Sequence, residues 1–147
     1  MKLQIALSIA RNILSKLEPE CDIINIAGSC RREKPEVKDI EIVALPKMVS
    51  GEDLFGGPTK KERKMSWKEK VYELGIVEKG NPAGKYMQIR LEEHDINLDL
   101  FMPDDFDFFR QYVIRTGSAD WVSRYVAGGW AKNGWCGSDA GLRLKSQ

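Results

Sequence analysis

Two short apolar runs in this chain carry acids at alternate positions, and that pattern constrains the fold more than any other feature. In "KDIEIVAL" Asp39 and Glu41 alternate with Ile40 and Ile42, and in "HDINLDLF" Asp99 stands between Leu98 and Leu100. Successive side chains of a β-strand point to opposite faces. Burying the isoleucines therefore puts both acids on the other face, about 6.7 Å apart along the strand. Acids so placed repel unless a cation sits between them. Carboxylate oxygens suit hard divalent ions such as Mg²⁺ or Mn²⁺, and two such ions about 4 Å apart can clamp the attacking and leaving oxygens of phosphoryl transfer. Asp99 is expected to reach the same site from a second strand.

The segment "IINIAGS" reads as a strand ending in a Gly28-Ser29 turn, and "AGSCRRE" precedes the paired acids. Main-chain N–H groups at a turn entering a helix can hold phosphate oxygens. Ser29 adds a hydroxyl, and Arg31 or Arg32 a charged fork. Phosphate cradle and acid pair, in this order, supply both halves of a nucleotide site.

The remaining pattern is α+β. Apolar residues from Leu3 to Leu17 recur at a helical period that Pro19 stops. Strands are expected over Ile23–Ala27 and Ile40–Leu45, the latter ended by Pro46. The turn-rich, charged stretch 47–66 reads as a mobile loop over the site or a disordered one. Trp67–Leu74 reads as a helix capped by Gly75, with Trp67, Val71 and Leu74 on one face. "IVEKGNPAGKYMQIRL" reads as a hairpin feeding a strand over Asp95–Phe101. Asp104, Asp105 and Asp107 are expected as caps of a helix over Phe106–Ile114, where negative charge suits the helix dipole. A second helix is expected over Ala119–Lys132, weakened near its end by Gly128-Gly129, with Trp121, Tyr125 and Trp130 in the core or at a lobe interface. The tail "NGWCGSDAGLRL" suggests a small hairpin of unreadable register.

The 147 residues are 42% hydrophobic, enough for one substantial core or two small lobes. Lys plus Arg total 23 against 22 acids, so net charge +1 is too balanced to identify a nucleic-acid binder. Distribution carries more. The run "KKERKMSWKEK" and the set Arg110, Arg115, Arg124, Lys132, Arg143 and Lys145 offer contacts to a phosphate backbone, although "KKERK" alone is also ordinary solvated surface. With no secretory apolar region and no 18-residue apolar stretch, a soluble intracellular protein is expected, with no membrane partner. Cys21, Cys30 and Cys136 have no close pair, and His94 is the single histidine. That argues against a disulfide framework or a zinc site. Cys30 is expected to pack beneath the turn, and His94 to lie at a strand start without acting as a base.

On these motifs the chain resembles the nucleotidyltransferase superfamily, and most closely the minimal, viral-type X-family DNA polymerases. The family pattern of a Gly-Ser turn, a paired-acid strand and a third acid on a neighbouring strand is matched by Gly28, Ser29, Asp39, Glu41 and Asp99. The X-branch form glycine, serine, any residue, arginine, arginine is present as "GSCRR". The resemblance implies a palm-like domain over residues 1–103 and a nucleotide-facing subdomain over 104–147. It implies that Arg32 contacts the incoming triphosphate, that Gly117 and Ser118 of "RTGSADW" border the nucleotide pocket, and that Ala140–Leu142 form a closing strand. The chain departs from the family at Glu41, where aspartate is usual. It departs again at Ile114 and Arg115, which replace an aromatic pair, so sugar selection does not carry over. Lyase and DNA-binding domains of larger members have no room here, and a monomer is expected.

The implied reaction is transfer of a nucleotide from a nucleoside triphosphate to the 3′-hydroxyl of a nucleic-acid primer, as in gap filling. Asp39, Glu41 and Asp99 would hold two Mg²⁺ or Mn²⁺ ions, Gly28, Ser29 and Arg32 would steady the phosphates, and pyrophosphate would leave. Two alternatives remain: transfer to a hydroxyl of RNA, protein or a small molecule, and a nucleotide- or nucleic-acid-binding module that has lost turnover through Glu41.

Overall fold

The computed structural model describes residues 1–50, 61–118, 122–138 and 141–144. Helix α1 (Leu3–Leu17) buries Ala6, Ile9, Ala10, Ile13 and Leu17, a single stripe at helical spacing, and Pro19 lies in the 3₁₀ turn Glu18–Glu20 that ends it. There follow β1 (Cys21–Ala27), the one-turn helix α2 (Gly28–Arg31), β2 (Asp39–Pro46), β3 (Met48–Ser50), β4 (Lys61–Arg63), α3 (Met65–Glu73), β5 (Ile76–Gly80), β6 (Tyr86–Leu91) and β7 (Ile96–Phe101). After these come α4 (Phe108–Thr116), a π-helical stretch Val122–Ala127, α5 (Gly128–Lys132), β8 (Trp135–Ser138) and β9 (Gly141–Leu144). The fold is α+β, as the patterning implied.

Five strands form a mixed sheet in the order β1-β2-β7-β6-β5. β2 and β7 run parallel, and the other neighbours are antiparallel. One face of the sheet is covered by α1 and α3. There Ile40, Ile42, Leu98, Leu100, Met87 and Ile89 pack with the α1 stripe, Trp67 and Val71. Trp67 is fully buried, and its Nε1–H donates to the Pro82 carbonyl at 3.3 Å. On the opposite face Phe108 of α4 packs on Ala27 and Val43, flanked by Ile23, Leu45, Phe101 and Tyr112. This second cluster lies mainly over β1 and β2, and the acids emerge beside it.

Several expectations are corrected. Stretch 47–66 is not wholly irregular: β3 and β4 pair antiparallel, and Arg63 turns inward to donate to the carbonyls of Pro82 and Gly84 and to touch Met102. It is a structural tie rather than a free cation. Residues 51–60 lie outside the described set. Gly75 is needed for close approach as well as helix termination, since a Cβ there would stand 2.1 Å from the Arg90 carbonyl oxygen. The strand expected from Asp95 starts at Ile96; Asp95 adopts left-handed φ 50°, and exposed His94 closes a 3₁₀ turn.

The helix expected over Phe106–Ile114 is a 3₁₀ turn (Asp105–Asp107) followed by α4, with no side-chain cap bond. Its aspartates do other work. Asp104 pairs with Lys85 at 3.0 Å, and Asp107 is buried against Arg110, whose Nη2 donates to it at 2.8 Å. Arg110 also lies over the Trp130 ring, 5.5 Å from its centroid, so Trp130 is a half-buried seat for a cation rather than core. Trp121, the start of the expected 119–132 helix, Ala140, Lys145 and the side chains of Tyr125, Cys136 and Arg143 are outside the described residues. In the described part of that helix, π winding gives way to α at Gly128. The tail hairpin pairs Trp135 with Leu144 and Ser138 with Gly141. No helix among the described residues is long and apolar enough to cross a membrane.

Candidate active site

Burial on β2 and β7 alternates as the sequence implied. Ile40, Ile42, Leu98 and Leu100 are fully buried, whereas Asp39 is exposed and Glu41 and Asp99 are half-buried on the other face. Register completes the arrangement. Glu41 is paired with Asp99 across the parallel boundary and with Ala27 across the antiparallel one, and Asp39 is paired with Asn97. All three acids thus share one face of two adjacent strands, beside the end of β1 from which the Gly28 turn departs.

Gly28 has φ +62°, and a Cβ on it would fall 1.8 Å from Glu41 Oε2. The left-handed backbone favours glycine because it strains an ordinary residue, and a side chain there would also push the Glu41 carboxylate out of its place. Asp99 is held from β6, where Tyr86 Oη donates to its Oδ1 at 2.7 Å and Gln88 Nε2 to the same oxygen at 3.3 Å. Burial, then the charge of Asp99, pushes the Asp39 carboxyl above its usual range. Burial and Asp99 likewise push Glu41 up, opposed by Arg115 and Arg32. The Tyr86 hydroxyl is also pushed up, by burial and by its bond to Asp99.

Hard oxygen donors that repel one another, with Arg115 and Arg32 only partly offsetting the charge of Asp99 on Glu41, fit a divalent Mg²⁺ or Mn²⁺. Among the described residues no three His, Cys, Asp or Glu side chains close on one ion. Asp99 is turned to Tyr86 and Gln88, and Glu41 to Gly28.

Arg32 ties the turn to α4. Its Nη1 donates to the carbonyls of Thr116 at 2.9 Å and Gly117 at 3.2 Å, and its Nη2 approaches Ser29 Oγ at 3.5 Å. The structure thereby brings Gly28, Ser29, Arg32 and Gly117 together, and a cavity of about 500 Å³ is lined by Arg31, Arg32, Tyr112, Val113, Thr116, Gly117 and Ser118. Cys30 is buried, as expected. A second cavity, about 450 Å³, has Lys85, Tyr86, Phe101, Gln111 and Arg115 among its lining.

Sequence reasoning missed Tyr86 and Gln88 as partners of Asp99, and Arg115 as a charge acting on Glu41. The alternation in "YMQIRL", with Met87, Ile89 and Leu91 buried, was a usable signal for the first two, because it puts Tyr86 and Gln88 on the acid-bearing face. Arg115 gave no such signal, since its place depends on how α4 crosses the sheet.

The sequence matches no family model and no curated protein. In three dimensions it is similar to the crystal structure of Leishmania infantum polymerase beta in a ternary gap complex, with TM-score 0.64 and 15% identity over 97% of this chain and 50% of that one. The chain thus spans half the length of that polymerase. The likeness establishes a polymerase-beta-like fold.

Proposed function

We propose that this chain is a metal-dependent nucleotidyltransferase that moves a nucleotide from a nucleoside triphosphate to the 3′-hydroxyl of a nucleic-acid primer, in the manner of X-family gap filling. One observation carries the reading: Asp39, Glu41 and Asp99 share one sheet face, and Glu41 lies directly against the Gly28 turn. The fold's likeness to a polymerase beta supports it. On this reading residues 1–103 are the palm-like part and 104–147 the nucleotide-facing part.

Asp39, Glu41 and Asp99 would hold the divalent ions. Bound Mg²⁺ or Mn²⁺ supplies charge neutralisation at the phosphates and a lowered pKa at the attacking hydroxyl. Tyr86 and Gln88 fix the orientation of Asp99. The first turn of α2 leaves main-chain N–H groups without intrahelical acceptors, and these would donate to phosphate oxygens. Arg32 commits Nη1 to two carbonyls and keeps Nε for a phosphate, which makes it both strut and ligand. Gly117 and Ser118 would border the sugar and base. The chemistry asks the chain for alignment and charge compensation rather than for a nucleophile of its own.

That no three acids among the described residues close on one ion favours a second reading, a nucleotide-binding module without turnover. Primer extension on a gapped duplex, with each of four dNTPs and Mg²⁺ or Mn²⁺, separates the two. Template-directed extension that Asp99→Ala abolishes upholds the proposal. Nucleotide binding without extension upholds the module.

A further inference from the structure

β5 and β1 form the two edges of the five-stranded sheet, and only one of them is guarded. An unpaired edge invites a further strand, which proteins commonly prevent with a bulge or with charged side chains. β5 carries both: its register breaks between Val77 and Lys79, and Glu78 and Lys79 stand exposed. β1 has neither along its length beyond the start. Its irregularity falls between Cys21 and Ile23, after which Ile23, Ile24, Asn25 and Ile26 pair regularly with β2 and include no charge and no proline.

Successive residues of an antiparallel strand turn their main-chain groups alternately toward the partner strand and away from it. Tyr112 Oη donates to the Ile26 carbonyl at 3.2 Å, so Ile26, and with it Ile24, faces away from β2. The N–H and C=O of Ile24 and the N–H of Ile26 therefore lie on the free edge, with no hydrogen-bond partner among the described residues. Beside them runs a groove of about 290 Å³, with Leu7, Arg11 and Leu14 of α1 on one side, Tyr112 of α4 on the other, and Asn25 and Ile26 along it. A strand added to β1 would enter this groove.

Charge selects the kind of strand. Arg11 and Arg31 both line the groove, both are exposed, and neither forms an ion pair among the described residues. Glu33 is the acid in the lining, so two cations face one anion. Leu7 and Leu14 are half-buried and flank Arg11 on α1, which suits an occupant that alternates apolar and acidic side chains. A nucleic acid has no succession of N–H and C=O groups at strand spacing, whereas a second main chain does. We propose that the β1 edge is a docking site for an extended acidic segment of a partner protein. The segment pairs with Ile24 and Ile26, sets apolar side chains against Leu7 and Leu14, and sets carboxylates against Arg11 and Arg31. This site is independent of the nucleotidyl-transfer reading.

The test is fluorescence anisotropy and amide hydrogen exchange of the full chain with a fluorescein-labelled peptide, Thr-Val-Thr-Glu-Thr-Val-Thr-Glu. Bound peptide should slow exchange at the Ile24 and Ile26 amides. Arg11→Gln should weaken it about fivefold, the scale of one exposed ion pair, and Arg11→Lys should recover most of that loss. The same peptide with Lys in place of Glu should bind more weakly still, a comparison that leaves the protein unaltered. Two further peptides carry N-methyl groups either on every Thr or on every Val and Glu. One set should abolish binding and the other spare it, because an added strand pairs along one of its edges only. Unchanged exchange at Ile24 and Ile26, equal binding of the Lys peptide, equal effects of the two N-methyl sets, or undiminished affinity in Arg11→Gln each overturns the proposal. Protection of Ile24 that grows with protein concentration in the absence of peptide would assign the edge to a second copy. Displacement of the peptide by a short single-stranded DNA would assign it to nucleic acid, and either result overturns the peptide site.

Discussion

Tyr86 donates its hydroxyl hydrogen to Asp99 Oδ1 at 2.7 Å across the β6–β7 boundary. A hydrogen bond to a charged acceptor is among the stronger ones, and here it fixes the direction of the acid contributed by the second strand. Tyr86→Phe removes that restraint while keeping the ring beside Phe101. Turnover should fall about tenfold, equivalent to about 1.4 kcal/mol, with KM for the nucleotide unchanged because Tyr86 touches the carboxylate and does not line the cavity beside Arg32 that is proposed for the triphosphate. Steady-state kinetics separates the two parameters; a rise in KM alone would contradict this role.

Gly28→Ala should damage fold and site together. Left-handed backbone costs an ordinary residue about 1–2 kcal/mol, and the new methyl would displace Glu41 Oε2 from its seat. Shortening the acid relieves only the second effect. The double variant Gly28→Ala with Glu41→Asp should therefore recover part of the lost stability in denaturant titration, and a strictly additive cycle would show that the two residues do not compete for space.

Arg32→Ala removes the tie between the Gly28 turn and the end of α4. Stability should drop by about 1–3 kcal/mol, the range for hydrogen bonds made by a charged group, and triphosphate affinity should fall more than primer affinity. Arg32→Lys should rescue little, because a single ammonium lacks the planar fork that reaches both carbonyls and Ser29. Parallel binding titrations with triphosphate and primer decide it: equal losses would place Arg32 in a purely structural role.

The acid faces were legible because they follow period 2. Ile40 and Ile42 between Asp39 and Glu41, and Leu98 and Leu100 around Asp99, state which side is core without knowledge of the partners. The α1 stripe and the β5–β6 hairpin were legible for similar local reasons. What local sequence does not encode is register and crossing. Tyr86 meets Asp99, and Arg115 meets Phe101, only after β6 pairs with β7 and α4 crosses the sheet. Arg63 and Asp107 misled in the opposite direction: Arg63 read as part of a solvated or phosphate-facing basic run and Asp107 as a helix cap, yet each is drawn inward by partners distant or newly placed by a 3₁₀ turn. The strand β1 extended to Cys21 rather than Ile23 because pairing with Pro46 decides its end.

Stability should carry two opposite pH signatures. The hydrogen bond from Arg110, then that from Gln111, holds the Asp107 carboxyl below its ordinary 3.8 despite burial. Its stabilisation is present above the unfolded pKa and is lost as pH falls through the lower folded value. Asp107→Asn should flatten that acid limb. Asp39 and Glu41 are pushed up by burial and by Asp99. Their folded forms retain protons longer, so they penalise the fold as pH rises from the unfolded pKa through the raised folded value. In chelator-treated protein at pH 7, Glu41→Gln should therefore melt higher than wild type, and added Mg²⁺ should narrow the difference. Melting curves from pH 3 to 7 check both limbs; a lower melting temperature for Glu41→Gln at pH 7 would contradict the second.

On the proposed reading, one carboxylate face and the turn against it transfer a nucleotide. Its most direct measurement is pyrophosphate release, followed with primer length on a gapped duplex, for wild type, Asp39→Ala and Asp99→Ala checked for folding by circular dichroism. Wild type should release one pyrophosphate per nucleotide added, and each folded variant should lose both signals. Undiminished release in the variants, or extension without pyrophosphate, would contradict it.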